Sequence, residues 1–123
     1  MELVKIGKYF KDLILSNEAV SEDLDDKIFP LVAVEGTTFP FLVYRRSGYR
    51  PSSNKDLEDE IVNLEVSILS DSYEEGITVT DNVLDALIGQ SSQHIDRVRI
   101  LGTNEDFLQD TYIQRLQLEI YLK

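Results

Sequence analysis

The chain has 123 residues, 42% hydrophobic and 28% charged, with no cysteine. That is the profile of one globular domain, and it excludes disulfides, thiolate metal ligands and cysteine nucleophiles. The net charge is −11, and it is regional: residues 56–96 hold eleven acids and no Lys or Arg, against twelve acids and twelve bases elsewhere.

One surface is expected to carry most of that charge. Such a surface disfavours bare nucleic acid, whose phosphates need cations, and leaves a basic partner or the repulsion of a polyanion open. No apolar run approaches the ~20 residues that cross a bilayer, so no membrane role is expected. "MELVKIGKYFKDLIL" lacks the unbroken apolar core and cleavage site of a signal peptide, which fits an intracellular origin.

Ile6, Tyr9, Phe10, Leu13 and Ile14 recur at the spacing of one helix face, with Lys5, Lys8, Lys11 and Asp12 opposite. This predicts an amphipathic helix over 3–16 that frays at Ser16 and Asn17. "SNEAVSEDLDDK" reads as an acidic loop or a short turn of helix; its acids lack the order a calcium loop requires. "KIFPLVAVE" and "FPFLVYRR" are strand-like and separated by "GTT", with Pro30 and Pro40 belonging at strand starts, edges or bulges.

"SGYRPSSNKD" reads as a long polar loop and a first candidate for a segment ordered by assembly. Val62, Leu64, Val66 and Ile68 then alternate with Asn63, Glu65 and Ser67, as in a half-buried strand. Tyr73, Ile77, Thr80, Val83, Leu84, Leu87 and Ile88 form a helical stripe closed by Gly89. "HIDRVRILG" and "YIQRLQLEIYL" are two further strands, with Val98, Ile100, Leu116, Leu118, Ile120 and Leu122 facing inward. "TNEDFLQD" would be the long connection of an antiparallel hairpin. The expected fold is α+β: a mostly antiparallel sheet of four to five strands with two helices packed on one face.

The polar run between strand and helix, "LSDSYEEG", has the chemistry of a boundary. Ser70 or Asp71 stands where an N-cap belongs, and "DSYE" and "SYEE" both have capping-box spacing. Glu74 and Glu75 suit the positive end of the helix dipole. Capping accounts for the whole cluster without catalysis.

On that helix Glu74, Asp81 and Asp85 share the face opposite the apolar stripe. They form either a solvated surface or an acidic face shown to a partner or a channel. Like charges four residues apart cost a few tenths of a kcal/mol, so helix propensity does not require them.

"YRRSGYR" has the composition of a nucleic-acid surface. The next strand begins near Glu58, Asp59 and Glu60, so cross-strand neutralisation, or an ion pair to a neighbouring subunit, is the preferred reading. Arg45, Arg46, Tyr49, Arg50 and Lys55 are the candidate contacts. His94, the one histidine, is read as a strand-entry residue. No Ser-His-Asp set, P-loop, dinucleotide fingerprint or metal-ligand cluster is present, so no catalytic residue, metal or cofactor is expected. A carboxylate pair assembled by folding is the one enzymatic alternative, and nothing singles out a pair.

Four stretches in order resemble the tail-completion family of tailed bacteriophages and prophages, small proteins that cap a tail tube and join it to the head. They are the N-terminal helix, "KIFPLVAVEGTTFPFLVYRRSG", "VNLEVSILSDSYEEGITVTDNVLDALIG" and "DFLQDTYIQRLQLEIYLK". Ile28, Pro30, Gly36, Pro40 and Tyr44 match the family's first two strands. Val66, Ile68, Asp71, Ser72, Tyr73 and Glu75 match its strand-to-helix passage, and Tyr121 its closing strand. "VAVEG" departs from the family, which often has a second proline before the glycine.

The resemblance implies a single structural domain over 1–123 that assembles as a ring, usually of six, on the last ring of tail-tube protein. Its partners would be itself, the tube protein and the head–tail connector, without sequence-specific nucleic acid. It would be assembled in the bacterial host cytoplasm and reside in the virion tail or neck. The alternatives are another neck or minor tail protein, or a prophage-derived binding module without catalysis.

Overall fold

The computed structural model describes residues 1–51 and 60–123. A 3-10 turn, Glu2–Lys5, leads into α1 (Ile6–Leu15), followed by α2 (Glu18–Leu24), β1 (Ile28–Pro30), β2 (Phe41–Arg50), β3 (Glu60–Ser70), α3 (Tyr73–Leu87), β4 (Ile95–Leu108) and β5 (Thr111–Leu122). The strands form one sheet in the order β1-β2-β3-β5-β4, antiparallel throughout except for the β1–β2 pair. The α+β expectation holds. The sheet has five strands, and the helical layer has three helices where two were expected.

The layers follow from periodicity. Along β3 the buried residues Val62, Leu64, Val66 and Ile68 alternate with half-buried Asn63, Glu65 and Ser67, so one face meets the helices and the other does not. On β5, Leu116, Leu118, Ile120 and Leu122 continue the buried face, as read from the sequence. Ile6, Tyr9, Phe10, Leu13 and Ile14 supply the α1 contribution to the same core. Each such fully buried aliphatic or aromatic side chain contributes about 1.5–3 kcal/mol.

Of the two readings of the acidic segment after α1, the short helix is the one observed: Asn17 caps α2 by accepting from the Val20 N–H at 3.2 Å, and Val20 and Leu24 are fully buried beneath it. Three local expectations are corrected. "KIFPLVAVE" is a strand for three residues only. Leu31 turns into the left-handed region at φ 67°, and Leu31, Val32 and Val34 are exposed.

The long polar loop begins later than expected, because Ser47–Arg50 continue β2 past a register shift between Arg46 and Gly48. The expected long connection between the last strands is a two-residue turn. Gln109 and Asp110 both have positive φ, 51° and 58°, the twist that suits a tight hairpin. "TNEDFL" is therefore strand.

The boundary between β3 and α3 is a cap, one residue later than the first candidates. Ser72 accepts the Glu75 N–H at 3.1 Å. Ser70 is the buried last residue of the strand, and its hydroxyl donates to the Ser72 carbonyl at 2.8 Å. Asp71 lies exposed between them. Gly89, at φ 73°, follows the helix as expected.

The inward stripe of α3 is rotated from the predicted one. Gly76, Val79, Thr80, Val83, Ala86 and Leu87 are buried, whereas Tyr73, Ile77 and Ile88 are exposed. The small residues turn inward because this helix approaches the sheet closely: a Cβ on Gly76 would stand 2.7 Å from the Ser70 hydroxyl oxygen.

Candidate functional site

The candidate cationic strand does not present its residues together. The strand period and the register shift after Arg46 divide them between two faces. Arg45 and Arg50 lie on the helix-free face of the sheet, by their register opposite Glu65 and Ile61. Arg46 points the other way and donates to the Leu3 carbonyl at 3.4 Å. Tyr49, on the helix side, is half-buried against the core. Burial raises its phenol pKa, and a hydrogen bond to Glu60 adds to that. Lys55, with Glu58 and Asp59, lies outside the described residues.

Cross-strand neutralisation is present, with a different partner from the one expected. Arg45 Nη2 meets Glu65 Oε2 at 2.8 Å.

The larger arginine set comes from strands that the sequence reading did not single out. By register, Arg97 and Arg99 of β4 and Arg115 of β5 share the helix-free face with Arg45 and Arg50. Arg99 lies 3.7 Å from Glu119 and Arg115 lies 3.4 Å from Asp106. The Arg97 guanidinium stacks 3.8 Å over the Tyr121 ring. With Glu65, and with Asp96 only 2.9 Å from Arg97, five arginines meet four carboxylates here among the described residues of a chain whose net charge is −11. The signal was in the sequence: Arg97 and Arg99 flank the inward Val98, and Arg115 precedes the inward Leu116.

Helices α2 and α3 have the opposite sign, with acids and no Lys or Arg. Glu74, Asp81 and Asp85 are exposed on α3, as expected, and Glu18 and Glu22 are exposed on α2. Asn82 of α3 donates to Asp23 of α2 at 2.7 Å and ties the two helices together. The acidic surface therefore draws on two separated regions of sequence. Arginines thus gather on the open sheet face and carboxylates on α2 and α3, while α1 carries Lys8 and Lys11 and Arg46 lies on the helix side.

Two features interrupt these layers at opposite edges of the sheet. Where β1 stops beside Tyr44, a groove of about 460 Å³ opens between the start of α1 and the outer edge of β2. Val4, Leu31, Tyr44 and Leu64 give it an apolar lining, and Lys5, Lys8, Arg45 and Arg46 also line it, with no acid. At the other edge the β4–β5 hairpin carries Phe107 and Leu108, which are 50% and 52% exposed.

His94 stands at the entry to β4, as expected, and stacks on Tyr9 with ring centroids 4.0 Å apart. Its Nδ1 is 3.8 Å from Glu2 Oε2. Tyr9 donates a hydrogen bond to the same carboxylate, which holds Glu2 below its usual range and pushes the Tyr9 phenol up to about 12. Among the described residues no group of three or more His, Cys, Asp or Glu could hold a metal ion. Among them, too, no helix is long and apolar enough to cross a membrane.

No family model matches the chain, and no curated protein matches it. Among solved structures it is similar to a chain in the "Virion of native gene transfer agent (GTA) particle", at 12% sequence identity and a TM-score of 0.76. The likeness spans 92% of this chain and 90% of that one. At that identity it is a likeness of fold.

Proposed function

We propose that this protein is a structural component of a phage-like virion, and within it a tail-completion protein. It caps the tail tube, joins it to the head or neck, and acts as a ring, most simply of six copies. The observation that carries this is the end-to-end likeness of fold to a chain of a virion particle. The four sequence stretches that resemble the tail-completion family support the finer reading. They fall on α1, on β1 to β2, on β3 to α3, and on the β4–β5 hairpin.

The physical task is to present rigid surfaces, and no step of it needs a catalytic group. A closed ring needs a heterologous interface, in which one patch of each copy meets a different patch of the next. A chain with arginines on its open sheet face and carboxylates on α2 and α3 is suited to such unlike contacts. Its other partners are the tube protein on one side of the ring and the connector on the other.

The test is analytical ultracentrifugation and electron microscopy of the purified chain, alone and with tube protein from the same gene neighbourhood. Closed rings that bind tube ends and stop tube growth are expected. Tubes that grow to the same length with and without the protein would refute tail completion. A gene neighbourhood without virion genes would remove the virion reading as well.

A further inference from the structure

We infer that the β4–β5 hairpin of one copy docks into the groove beside β2 of the next copy. This inference rests on the ring reading and names the contact that closes the ring.

The tip of the hairpin, Glu105 to Asp110, contains three acids, no base and two large apolar side chains half exposed to water. The groove is its counterpart. Its lining is apolar at Val4, Leu31, Tyr44 and Leu64, and all four of its charged residues are cations. Lys5 and Arg46 make no ion pair among the described residues, and neither do Asp110 and Glu105, whose carboxylate accepts neutral hydrogen bonds from Tyr73 and Gln114 and keeps its charge. Val4 and Leu31 on the groove rim are 61% and 70% exposed. Two apolar patches of opposite charge, each incompletely covered, are complementary in both respects.

The groove belongs to the β1–β2 edge and the hairpin to the β4–β5 edge. Four strand spacings of about 4.8 Å put those edges roughly 19 Å apart, so one molecule does not fill its own groove. A second copy does. Because hairpin and groove are different patches, the contact is head-to-tail and propagates around a ring. The strand edge favours the same occupant. β1 pairs with β2 only as far as Tyr44, which leaves the outer edge of Arg45–Arg50 beside the groove without a neighbouring strand among the described residues.

The experiment uses the full chain, with self-association followed by sedimentation velocity over a concentration series. Phe107→Ser/Leu108→Ser alters only the hairpin, and Lys5→Glu/Arg46→Glu only the groove. All four positions are exposed, and unchanged thermal melting verifies that both variants fold. Each variant alone is expected to lose assembly by at least about tenfold in concentration. Mixed together, they are expected to form a heterodimer that grows no further, since each keeps one intact patch. Misfolding would not produce that result.

Rings that form at the wild-type concentration in either folded variant overturn this contact and leave the ring reading standing. Mixtures that give no heterodimer, while the wild type forms rings, overturn it equally. A wild-type chain that stays monomeric at its highest soluble concentration, and also with tube protein, overturns the contact and the ring together.

Discussion

Arg45 and Glu65 face each other on β2 and β3, with Nη2 and Oε2 2.8 Å apart on the face of the sheet that no helix covers. The side chains are 54% and 44% exposed, so water and salt screen the attraction. Replacing either residue with alanine is expected to cost less than about 1 kcal/mol. A double-mutant cycle by urea denaturation, repeated in high salt, measures the coupling, which is expected to shrink as salt rises. A coupling above 2 kcal/mol that persists in salt would show that this face is drier than its exposure implies.

The acidic helix surface leads to the opposite balance between stability and assembly. Asp81 and Asp85 are four residues apart on α3 and both exposed, so neutralising them removes a repulsion of a few tenths of a kcal/mol. Glu74→Gln/Asp81→Asn/Asp85→Asn is therefore expected to melt no lower than the wild type while reducing assembly or infectious particles. Comparing thermal melts with particle titres checks both halves. Unchanged titres would make this surface ordinary solvated helix.

The bond between Tyr9 and Glu2 has a defined pH window. Glu2 is depressed below its ordinary 4.5, chiefly by the Tyr9 hydrogen bond, and Tyr9 is raised to about 12, chiefly by the same bond. The stabilisation from a depressed carboxyl is present above 4.5 and is lost as pH falls through the lowered value. That from a raised phenol is present below about 10 and is lost as pH rises through about 12. The bond is therefore at full strength between those limits. An NMR titration of the tyrosine ring carbons is expected to show Tyr9 ionising near 12 and moving down toward 10 in Glu2→Gln. An unmoved midpoint would assign the shift to burial under His94.

The layers of this fold were legible because burial imposes a period. Val62 to Ile68 and Leu116 to Ile120 alternate cleanly since one side of each strand meets helices and the other does not. The same logic explains the failures. From Thr103 to Leu108 both faces of β4 are exposed, so no alternation marks the strand. Gln109-Asp110 also lacks the glycine that usually signals a two-residue turn. Leu31, Val32 and Val34 look like core residues and are not, because Pro30 and the left-handed Leu31 end the strand before they can turn inward.

The candidate site was legible in halves. "YRRSGYR" announced cations but not their division between two faces, which depends on the register shift after Arg46. The acids of α3 were found from their spacing. Those of α2 were left between loop and a short turn of helix, because the two buried residues of so short a helix, Val20 and Leu24, make too brief a pattern. The groove was invisible in sequence, since α1, β1 and β2 enclose it only through tertiary packing.

Thr80 lies on the buried side of α3 at 8% exposure, and its hydroxyl oxygen has no hydrogen-bond partner among the described residues. A buried hydroxyl without a partner costs about 1–3 kcal/mol. Valine has nearly the same shape without that polar group, although its stiffness disfavours helix slightly. Thr80→Val is expected to raise stability by about 1 kcal/mol, read as a higher urea midpoint at unchanged slope.

At Gly76 two effects of similar size oppose each other. Alanine at a helical position is favoured over glycine by about 1 kcal/mol, which alone would make Gly76→Ala stabilising. Here the added Cβ would meet the Ser70 hydroxyl oxygen at 2.7 Å, and Ser70 is completely buried at the end of β3 with its hydroxyl donated to the Ser72 carbonyl. Relieving the clash means moving that hydroxyl or backing the helix away from the sheet, and overpacking of this kind costs about 1–3 kcal/mol. The clash is expected to win, leaving Gly76→Ala less stable than the wild type. The second substitution Ser70→Ala removes the obstructing oxygen, so in that background Gly76→Ala is expected to become neutral or stabilising. A urea-denaturation cycle over the four proteins measures the change of sign. Equal effects of Gly76→Ala in both backgrounds would mean that the close approach of α3 to β3 is not what holds this position to glycine.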